Sequence, residues 1–301
     1  MNEKLQNKSH HVLAIGADGK TAGLVIPELA KRGAHIRGLL RKPDNVDQVQ
    51  QSGAAEIAIG DLNDPTSLKA AVRGVDAVFY LAPAFLPGEA ELGVRFVQLA
   101  EKAGVRRFVF SSVIHPSLSA LSNHQAKQPV EEAVLSSNME FVFLHPAVFF
   151  QNLTSSWRRV VESGVFAEPW SAETKFSRVD YRDVAKVAAL ALTEDQLVYG
   201  TFELCSQGHL NRHEVAALMS DVLGRPIKAE KLDPNALGNE GEAAAMKPMF
   251  EWYNHHGLNG NALILRTILG HEPRTLKQFI CELAGASATK ISKAATNENN
   301  K

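Results

Sequence analysis

Cysteine is scarce in this sequence, and long apolar runs are missing from it. The 301 residues include two cysteines, Cys205 and Cys281, which belong to no Cys-x-x-Cys or Cys/His spacing. That pattern argues against a disulfide framework and against a zinc site. No stretch approaches the roughly 18 uncharged apolar residues of a membrane span, and the polar start MNEKLQNKSH lacks the apolar run of a secretory signal. We therefore expect a soluble, cytoplasmic protein with no membrane contact.

A large excess of either positive or negative charge is also missing from the sequence. The formal net charge is −1 and there is no long basic run, which argues against direct nucleic-acid binding. Hydrophobic residues make up 45% of the chain and charged residues 22%, values typical of a globular protein. The length suits one large α/β unit or a main domain with a smaller lobe.

Short apolar segments alternate with segments of helical periodicity through the first half of the chain. HVLAI is followed by glycines and then by AGLVIPELAKRG, where Leu24, Val25 and Leu29 recur at helical spacing. Later β-like segments are HIRGLLR, AEIAIGDL, VDAVFYLAP, VRRFVFSSV and EFVFLHPAVF. Strands that are apolar on both faces and separated by helices predict a doubly wound α/β fold with a parallel sheet, the Rossmann fold.

The pattern changes after about residue 150 and becomes mainly helical. We predict a Rossmann domain over 10–150, to which 177–206 returns. A smaller, mainly helical C-terminal lobe is predicted from 151–176 and 207–285. The polar ends, 1–9 and 286–301, are predicted to be disordered tails.

The segment VLAIGADGKTAG follows the first predicted strand and fits two kinds of phosphate-binding turn. A nucleotide-triphosphate loop needs G-x-x-x-x-G-K-[ST], but Ala14 stands where its first glycine belongs, and neither AVFYLAPA nor FVFSSV ends in the required carboxylate. The dinucleotide pattern G-x-x-G-x-x-A fits Gly16, Gly19 and Ala22. The amino terminus of the next helix would then face the phosphates. The sequence therefore predicts a dinucleotide turn.

The end of the second predicted strand indicates which dinucleotide is bound. An NAD-binding fold usually places an acidic residue there, whereas this sequence has Arg41 and Lys42. Two cations can pair with a 2′-phosphate, which favours NADP(H) over NAD(H). The alternative is that both residues form a solvated strand end.

Several segments in this order resemble the NmrA-like family of atypical short-chain dehydrogenases/reductases. They are VLAIGADGKTAG, RKP, GDLNDPTSLKAAVRGVDAVFYLAP, AGVRRFVFSSV, a lysine before a helix, LHPAVFFQNL and LGHEPRTLKQFI. The resemblance covers almost the whole chain and implies NADP(H) in the Rossmann domain. It implies cofactor contacts from Gly16, Ala17, Asp18, Gly19, Lys20, Thr21, Arg41, Lys42, Asp61, Leu62, Leu81, Ala82, Pro83, Ser111, Lys127 and Phe149. Asp18 departs from the threonine common in the family, and a carboxylate beside a pyrophosphate is unfavourable unless it turns outward to cap the helix.

The stretch NHQAK corresponds to the Tyr-x-x-x-Lys of classical short-chain reductases. Lys127 is in place, but Asn123 stands where the proton-donating tyrosine belongs. Lys127 and His115 are the candidate catalytic residues, with His124 as a second substitute acid. If the hydride acceptor is a quinone, flavin or azo compound, solvent can protonate the product and no strong side-chain acid is needed.

Aromatic residues and a histidine pair in the second half of the chain raise the questions of a substrate pocket and of a metal site. The resemblance implies a pocket lined by Phe85, His115, Phe150, Met249 and Tyr253, although such aromatic residues are equally typical of a core. We expect no metal, because the adjacent His255 and His256 cannot share a helical face and have no evident third ligand.

Three functions stay open at this point. The first is an NAD(P)H-dependent reductase of quinone-like or other conjugated acceptors. The second is a non-catalytic NADP(H) redox sensor that acts through a regulatory protein partner. The third is a reductase of the isoflavone-reductase type. NmrA-like proteins include both enzymes and regulators, and the sequence does not indicate an oligomeric state.

Overall fold

Strands and helices alternate through the first half of the chain. The computed structural model describes residues 10–83, 85–234 and 240–298, so the predicted tail 1–9 and the last three residues of the predicted tail 286–301 lie outside the described residues. The strands are β1 (His11–Ile15), β2 (His35–Leu40), β3 (Glu56–Ile59), β4 (Ala77–Tyr80), β5 (Arg107–Ser111), β6 (Glu140–Pro146), β7 (Val148–Phe149), β8 (Val165–Glu168), β9 (Phe176–Val179), β10 (Gly200–Leu204), β11 (His209–Leu210) and β12 (Lys228–Lys231). The helices are α1 (Val25–Lys31), α2 (Val46–Gln51), α3 (Pro65–Val72), α4 (Glu89–Lys102), α5 (Ser122–Gln125), α6 (Gln128–Leu135), α7 (Leu153–Ser163), α8 (Tyr181–Thr193), α9 (Arg212–Leu223), α10 (Glu240–Tyr253), α11 (Leu263–Leu269) and α12 (Leu276–Glu298).

Side-chain caps fix where two of the helices begin. Asp64 accepts hydrogen bonds from the backbone N–H groups of Thr66 and Ser67 and thereby caps α3. Asn211 and Glu214 form a reciprocal capping box at the start of α9, and Gly224 ends that helix with φ of +63°.

Seven strands form one sheet in the order β10-β6-β5-β4-β1-β2-β3. The five pairings from β6 across to β3 are parallel. The order reverses between β1 and β4, since the chain first builds outward from β1 and then returns to its other side. In open α/β sheets such a reversal opens a crevice at the carboxyl ends of the strands. The predicted doubly wound Rossmann fold is confirmed.

The core on one side of this sheet is rich in aromatic rings. Tyr80 lies 5.4 to 5.7 Å from Phe96, Phe108 and Phe110, measured between ring centroids, and each of these side chains is buried. Ring pairs at this spacing add to the stabilisation that burial of their apolar area provides. The ends of β4 and β5, which face the crevice, are thereby held rigidly.

The chain divides into two compact units, and α8 belongs to the first although the residues just before it belong to the second. The first unit consists of the residues up to Pro146 together with Tyr181–Glu203. Arg107 on β5 is fully buried and donates hydrogen bonds to the carbonyls of Ala191 and Glu194, at 2.9 and 2.6 Å. Its guanidinium also pairs with Glu140 and Asp195. These bonds satisfy a buried charge and tie the end of α8 to the sheet.

The second unit comprises Ala147–Asp180 and the chain from Leu204 onward. It contains two small sheets, β11-β9-β7 and β12-β8, and the helices α7 and α9 to α12. Phe150, Trp157, Phe166 and Phe279 belong to its apolar core. This unit is helical for the most part, in agreement with the predicted C-terminal lobe.

Three further sequence expectations can be set beside the structure. Helix α12 continues to Glu298, so residues 286–298 are helical where a tail was predicted. Cys205 is buried, Cys281 is exposed, and neither takes part in a disulfide among the described residues. Among the described residues, no helix combines the length and the apolar character that crossing a membrane requires.

Candidate functional site

The glycine-rich turn follows β1 directly at the point where the strand order reverses. Gly16 has φ of +69°, and its carbonyl accepts a 2.8 Å hydrogen bond from the Gly19 N–H. A Cβ on Gly19 would lie 2.9 Å from the Gly16 oxygen, and one on Gly23 would lie 2.7 Å from the Ala17 oxygen. Neither contact is tolerated, so the turn requires glycine at both positions. A tight glycine turn between a first strand and a first helix is the kind of cradle that a pyrophosphate needs, and a dinucleotide fits it.

Ala22 has the role that the sequence predicted for a third small residue. It is buried, and its Cβ would lie 3.7 Å from a Cβ on Gly16. Residues Ala22–Leu24 form a 3₁₀ turn before α1 begins at Val25. Gly23, which the motif did not include, proves to be as sterically constrained as Gly19.

Asp18 does not cap the helix that follows the turn. The first residues of both the 3₁₀ turn and α1 lack a side-chain cap. The Asp18 carboxylate instead accepts a 3.3 Å hydrogen bond from the Asn45 side chain, in the segment after β2. Asn45 was not identified from the sequence, because nothing in its spacing links it to the glycine turn.

Arg41 and Lys42 follow β2 and are exposed. In the part of the chain that the structure describes, neither has an ion-pair partner. Arg41 lies near Asp61, whose pKa is lowered by hydrogen bonds from Asn63 and, to a lesser extent, by the charge of Arg41. Two unpaired cations at the carboxyl end of β2 are free to bind an anion.

The ends of β3 and β4 carry five of the predicted contact residues. Asp61 accepts hydrogen bonds from the backbone and side chain of Asn63, at 2.8 and 3.0 Å, so its carboxylate shapes the turn. The Leu81 carbonyl lies 3.9 Å from a Cβ built on Gly16, which brings the end of β4 beside the glycine turn. The remaining three are the half-buried Leu62, the buried Ala82 and the exposed Pro83.

Ser111 ends β5, Ser112 follows it, and the two hydroxyls bond different partners. The fully buried Ser111 hydroxyl accepts a hydrogen bond of 2.9 Å from Tyr181 of α8. Ser112 donates to Glu131, which also contacts His145 at 2.9 Å. The predicted contact between Ser111 and the cofactor stays a prediction, since the hydroxyl already bonds Tyr181.

Lys127 forms a buried ion pair with Glu89 at the amino end of α4. Both side chains are about 95% buried. Burial raises the pKa of Glu89, while Lys127 and a hydrogen bond from the Phe85 backbone oppose that shift. Sequence reasoning missed Glu89, although a carboxylate in the first turn of α4 could have been noticed as a partner for a lysine in an apolar setting.

Two predicted pocket residues have left-handed backbones. Phe85 and His115 have φ of 60° and 52°, a region that non-glycine residues rarely occupy. The His115 carbonyl accepts hydrogen bonds from the Leu118 N–H and the His124 ring, each at 3.1 Å. Its own ring lies 3.8 Å from the Glu203 carboxylate. Such strain concentrates at functional sites and marks both loops as candidates for contacts with a ligand.

Neither Asn123 nor His124 replaces the missing tyrosine acid. Asn123 has no proton to donate at a reachable pKa, and its buried Oδ1 has no hydrogen-bond partner among the described residues. Burial lowers the pKa of His124 to about 4. His124 is therefore neutral near pH 7 and cannot serve there as a cationic acid.

His124 should make the stability of the protein sensitive to mild acid. The unfolded chain takes up this proton near pH 6.5 and the folded chain near pH 4, so stability falls as the pH decreases through that window. The loss expected from this group is up to about 3 kcal/mol. Urea denaturation between pH 7 and pH 4.5 should show His124→Asn losing less stability than the parent. A gap between the two proteins that is independent of pH would contradict this.

The remaining predicted pocket and cofactor residues belong to the second unit. Phe150 is buried and lies 5.7 Å from Phe279, and the buried Tyr253 packs on the rings of Trp170 and Phe176. Phe150 and Tyr253 are therefore core residues, which was the alternative to a role in lining the pocket. Phe149 and Met249 are both half-buried. Contacts of these four residues with a cofactor or substrate stay predictions.

Comparison with known proteins agrees with this geometry. Residues 8–295 match the NmrA-like family. The NAD(P)H azoreductase of Xenophilus azovorans is 30% identical over 218 residues, which cover 72% of this chain and 75% of that protein. The (4-alkanoyl-5-oxo-2,5-dihydrofuran-3-yl)methyl phosphate reductase of Streptomyces griseus subsp. griseus is 31% identical over 228 residues, covering 75% and 78%.

A solved structure shows the same fold. The NADPH-dependent quinone oxidoreductase of Escherichia coli, complexed with NADPH, superimposes with a TM-score of 0.80 at 20% identity, covering 91% of this chain and 99% of that one. With a family match over nearly the whole chain and a relative at 31% identity, the chain belongs to the NmrA-like family.

Proposed function

We propose that the protein is an NADP(H)-dependent reductase of azo, quinone-like or other conjugated acceptors. The observation that carries the proposal is the glycine turn at the strand reversal together with two unpaired cations after the next strand. The turn supplies N–H groups for a pyrophosphate, and Arg41 and Lys42 supply charge for a 2′-phosphate. The preference for NADP(H) over NAD(H) rests on those two cations.

Different residues around the crevice would contact different parts of the cofactor. Gly16, Gly19 and Ala22 let the backbone approach the cofactor, and the Lys127 ammonium lies at the side of the unit where β4 and β5 end. When bound, NADPH would supply a hydride. The chain's own part is to hold and orient both reactants and to exclude water between them.

The kind of acceptor follows from the groups available for proton transfer. The tyrosine acid is replaced by Asn123, and His124 is uncharged near neutral pH. A simple carbonyl needs a proton as it is reduced, whereas an azo or quinone product can take its proton from solvent. The similar proteins from Xenophilus and Streptomyces are named for an azo substrate and for a butenolide phosphate, which supports conjugated acceptors.

A non-catalytic NADP(H) sensor is the second candidate. It is favoured by the pairing of Lys127 with Glu89, which leaves the lysine neutralised inside the unit and not free in the crevice. A sensor would need the glycine turn and the two cations but no proton donor. It would act through a protein partner.

Steady-state oxidation of NADPH separates the two functions. We expect turnover with an azo dye, a quinone and a conjugated enone, and none with a simple aliphatic aldehyde. Gly19→Val is the matched control, because its side chain would collide with the Gly16 carbonyl and block the turn. Turnover that survives in this variant would not come from the proposed site. Tight NADP⁺ binding by calorimetry with no turnover on any acceptor would overturn the reductase in favour of the sensor.

A further inference from the structure

Three potential metal ligands meet at the amino ends of β1, β2 and β3. His11, His35 and Glu56 each offer one ligand atom, and these atoms all lie within 4.8 Å of one another. This edge of the sheet is opposite to the carboxyl ends that carry the glycine turn. The cluster therefore lies apart from the candidate cofactor site.

The register of the sheet holds the three side chains together. His11 pairs directly with His35 across the β1–β2 ladder, and Glu56 pairs with Arg37, two residues after His35 and on the same face. The His35 Nε2 is 2.8 Å from one Glu56 oxygen, and the His11 Nε2 is 3.7 Å from the other. Ligands mounted on neighbouring strands are positioned more rigidly than ligands on loops.

The His11 imidazole has a buried nitrogen without a partner. Its Nε2 forms no hydrogen bond among the described residues. A neutral imidazole whose Nε2 carries no hydrogen presents a lone pair at that nitrogen, which is how histidine binds a metal ion.

The cluster is partly exposed, so a metal ion bound there can keep a water ligand. The side chains of His11, His35 and Glu56 are 20%, 41% and 38% exposed. Two imidazoles and a carboxylate form a ligand set that zinc accepts, with water as the fourth ligand. Ligand atoms of a tetrahedral zinc lie about 3.4 Å apart, so the longest separation here must shorten by about 1.4 Å. Side-chain rotation covers that distance.

Arg37 limits the affinity of the cluster but leaves one carboxylate oxygen accessible. Its guanidinium bonds the second Glu56 oxygen at 2.6 Å and the carbonyls of Ala71 and Arg73 at 2.8 Å. The oxygen that faces His35 is not the one Arg37 occupies. A cation would bind to the Glu56 oxygen that faces His35.

We propose that His11, His35 and Glu56 bind a divalent transition metal of the zinc class. The ion joins the amino ends of three neighbouring strands, so its effect is on stability and not on hydride transfer. Imidazole with carboxylate selects zinc, nickel or copper over magnesium or calcium. The site is independent of the proposed reductase function, and either can fail without the other.

Calorimetric titration of the full-length protein with zinc chloride tests the proposal. We expect one zinc ion per chain, with His11→Gln, His35→Gln and Glu56→Gln each weakening binding at least about tenfold. Zinc should also raise the melting temperature of the parent protein, and the rise should be absent in the variants. Each variant is checked for native circular dichroism, so loss of binding is not mistaken for loss of the fold.

A second histidine–glutamate pair supplies the control. His213 contacts Glu173 at 3.1 Å on the surface of the second unit, and no third ligand joins them in the described structure. His213→Gln should leave zinc binding and the melting temperature shift unchanged. Absence of zinc binding by the parent protein would overturn the proposal. Equal affinity in the parent and in a folded His35→Gln variant would overturn it as well.

Discussion

The Lys127→Met variant is expected to lose about 3–5 kcal/mol of its free energy of unfolding near neutral pH. The substitution removes the partner of Glu89 and leaves a carboxylate buried without a counter-charge. Glu89 has a pKa already raised by burial, so protonation of the unpaired carboxyl limits the loss in acid. Urea denaturation at pH 7.5 and at pH 5 measures both effects.

The double variant Glu89→Leu/Lys127→Met is the matched comparison. Replacing both members of a buried pair with apolar residues of similar size is often nearly neutral, so most of the lost stability should return. Because the double variant should fold stably, a change in its cofactor binding or turnover can be attributed to the missing side chains and not to unfolding. If Lys127 also contacts the cofactor, NADP⁺ binding in the double variant should weaken by about 10- to 100-fold. A stable double variant with unchanged affinity and turnover would show that the pair is structural only.

Arg41→Glu should lower the affinity for NADP⁺ by about 100-fold and leave the affinity for NAD⁺ nearly unchanged. Loss of a charge-assisted hydrogen bond accounts for about 1.5–3 kcal/mol, and the introduced carboxylate adds repulsion toward a 2′-phosphate. NAD⁺ has no phosphate at this position and should not respond. Calorimetry with both dinucleotides gives the ratio directly.

Lys102→Glu is the control for that charge reversal. Lys102 is the last residue of α4, which returns the chain to the amino end of β5 and so to the opposite edge of the sheet. The two variants have the same net charge, but only Arg41→Glu should change the preference between the dinucleotides. An unchanged preference in Arg41→Glu would mean that the 2′-phosphate site has been assigned to the wrong residue.

The fold could be predicted because most strands of the central sheet are rich in apolar residues and alternate with segments of helical periodicity. Glycine and small residues at fixed spacing located the turn, and exposed cations after β2 were visible in the sequence alone. The helical end of α12 was missed because its residues are small and polar and lack an apolar stripe.

The partners of the site residues could not be predicted from spacing. Glu89 meets Lys127, Tyr181 meets Ser111, and Asn45 meets Asp18 through contacts between elements distant in the chain. The His11, His35 and Glu56 cluster was missed for the same reason. Its members are spread over three strands, and only the register of the sheet brings them together.

The buried bonds of Arg107 govern the order in which the chain can fold during synthesis. Its partners Ala191, Glu194 and Asp195 leave the ribosome more than eighty residues after Arg107 itself. In a nascent chain that ends near Pro146, α8 has not yet been made. Arg107 then lacks its hydrogen-bond partners, and the face of the sheet that α8 covers stays exposed. The first unit therefore closes only after residues 147–180 of the second have been made, and its sheet stays exposed to other chains until then.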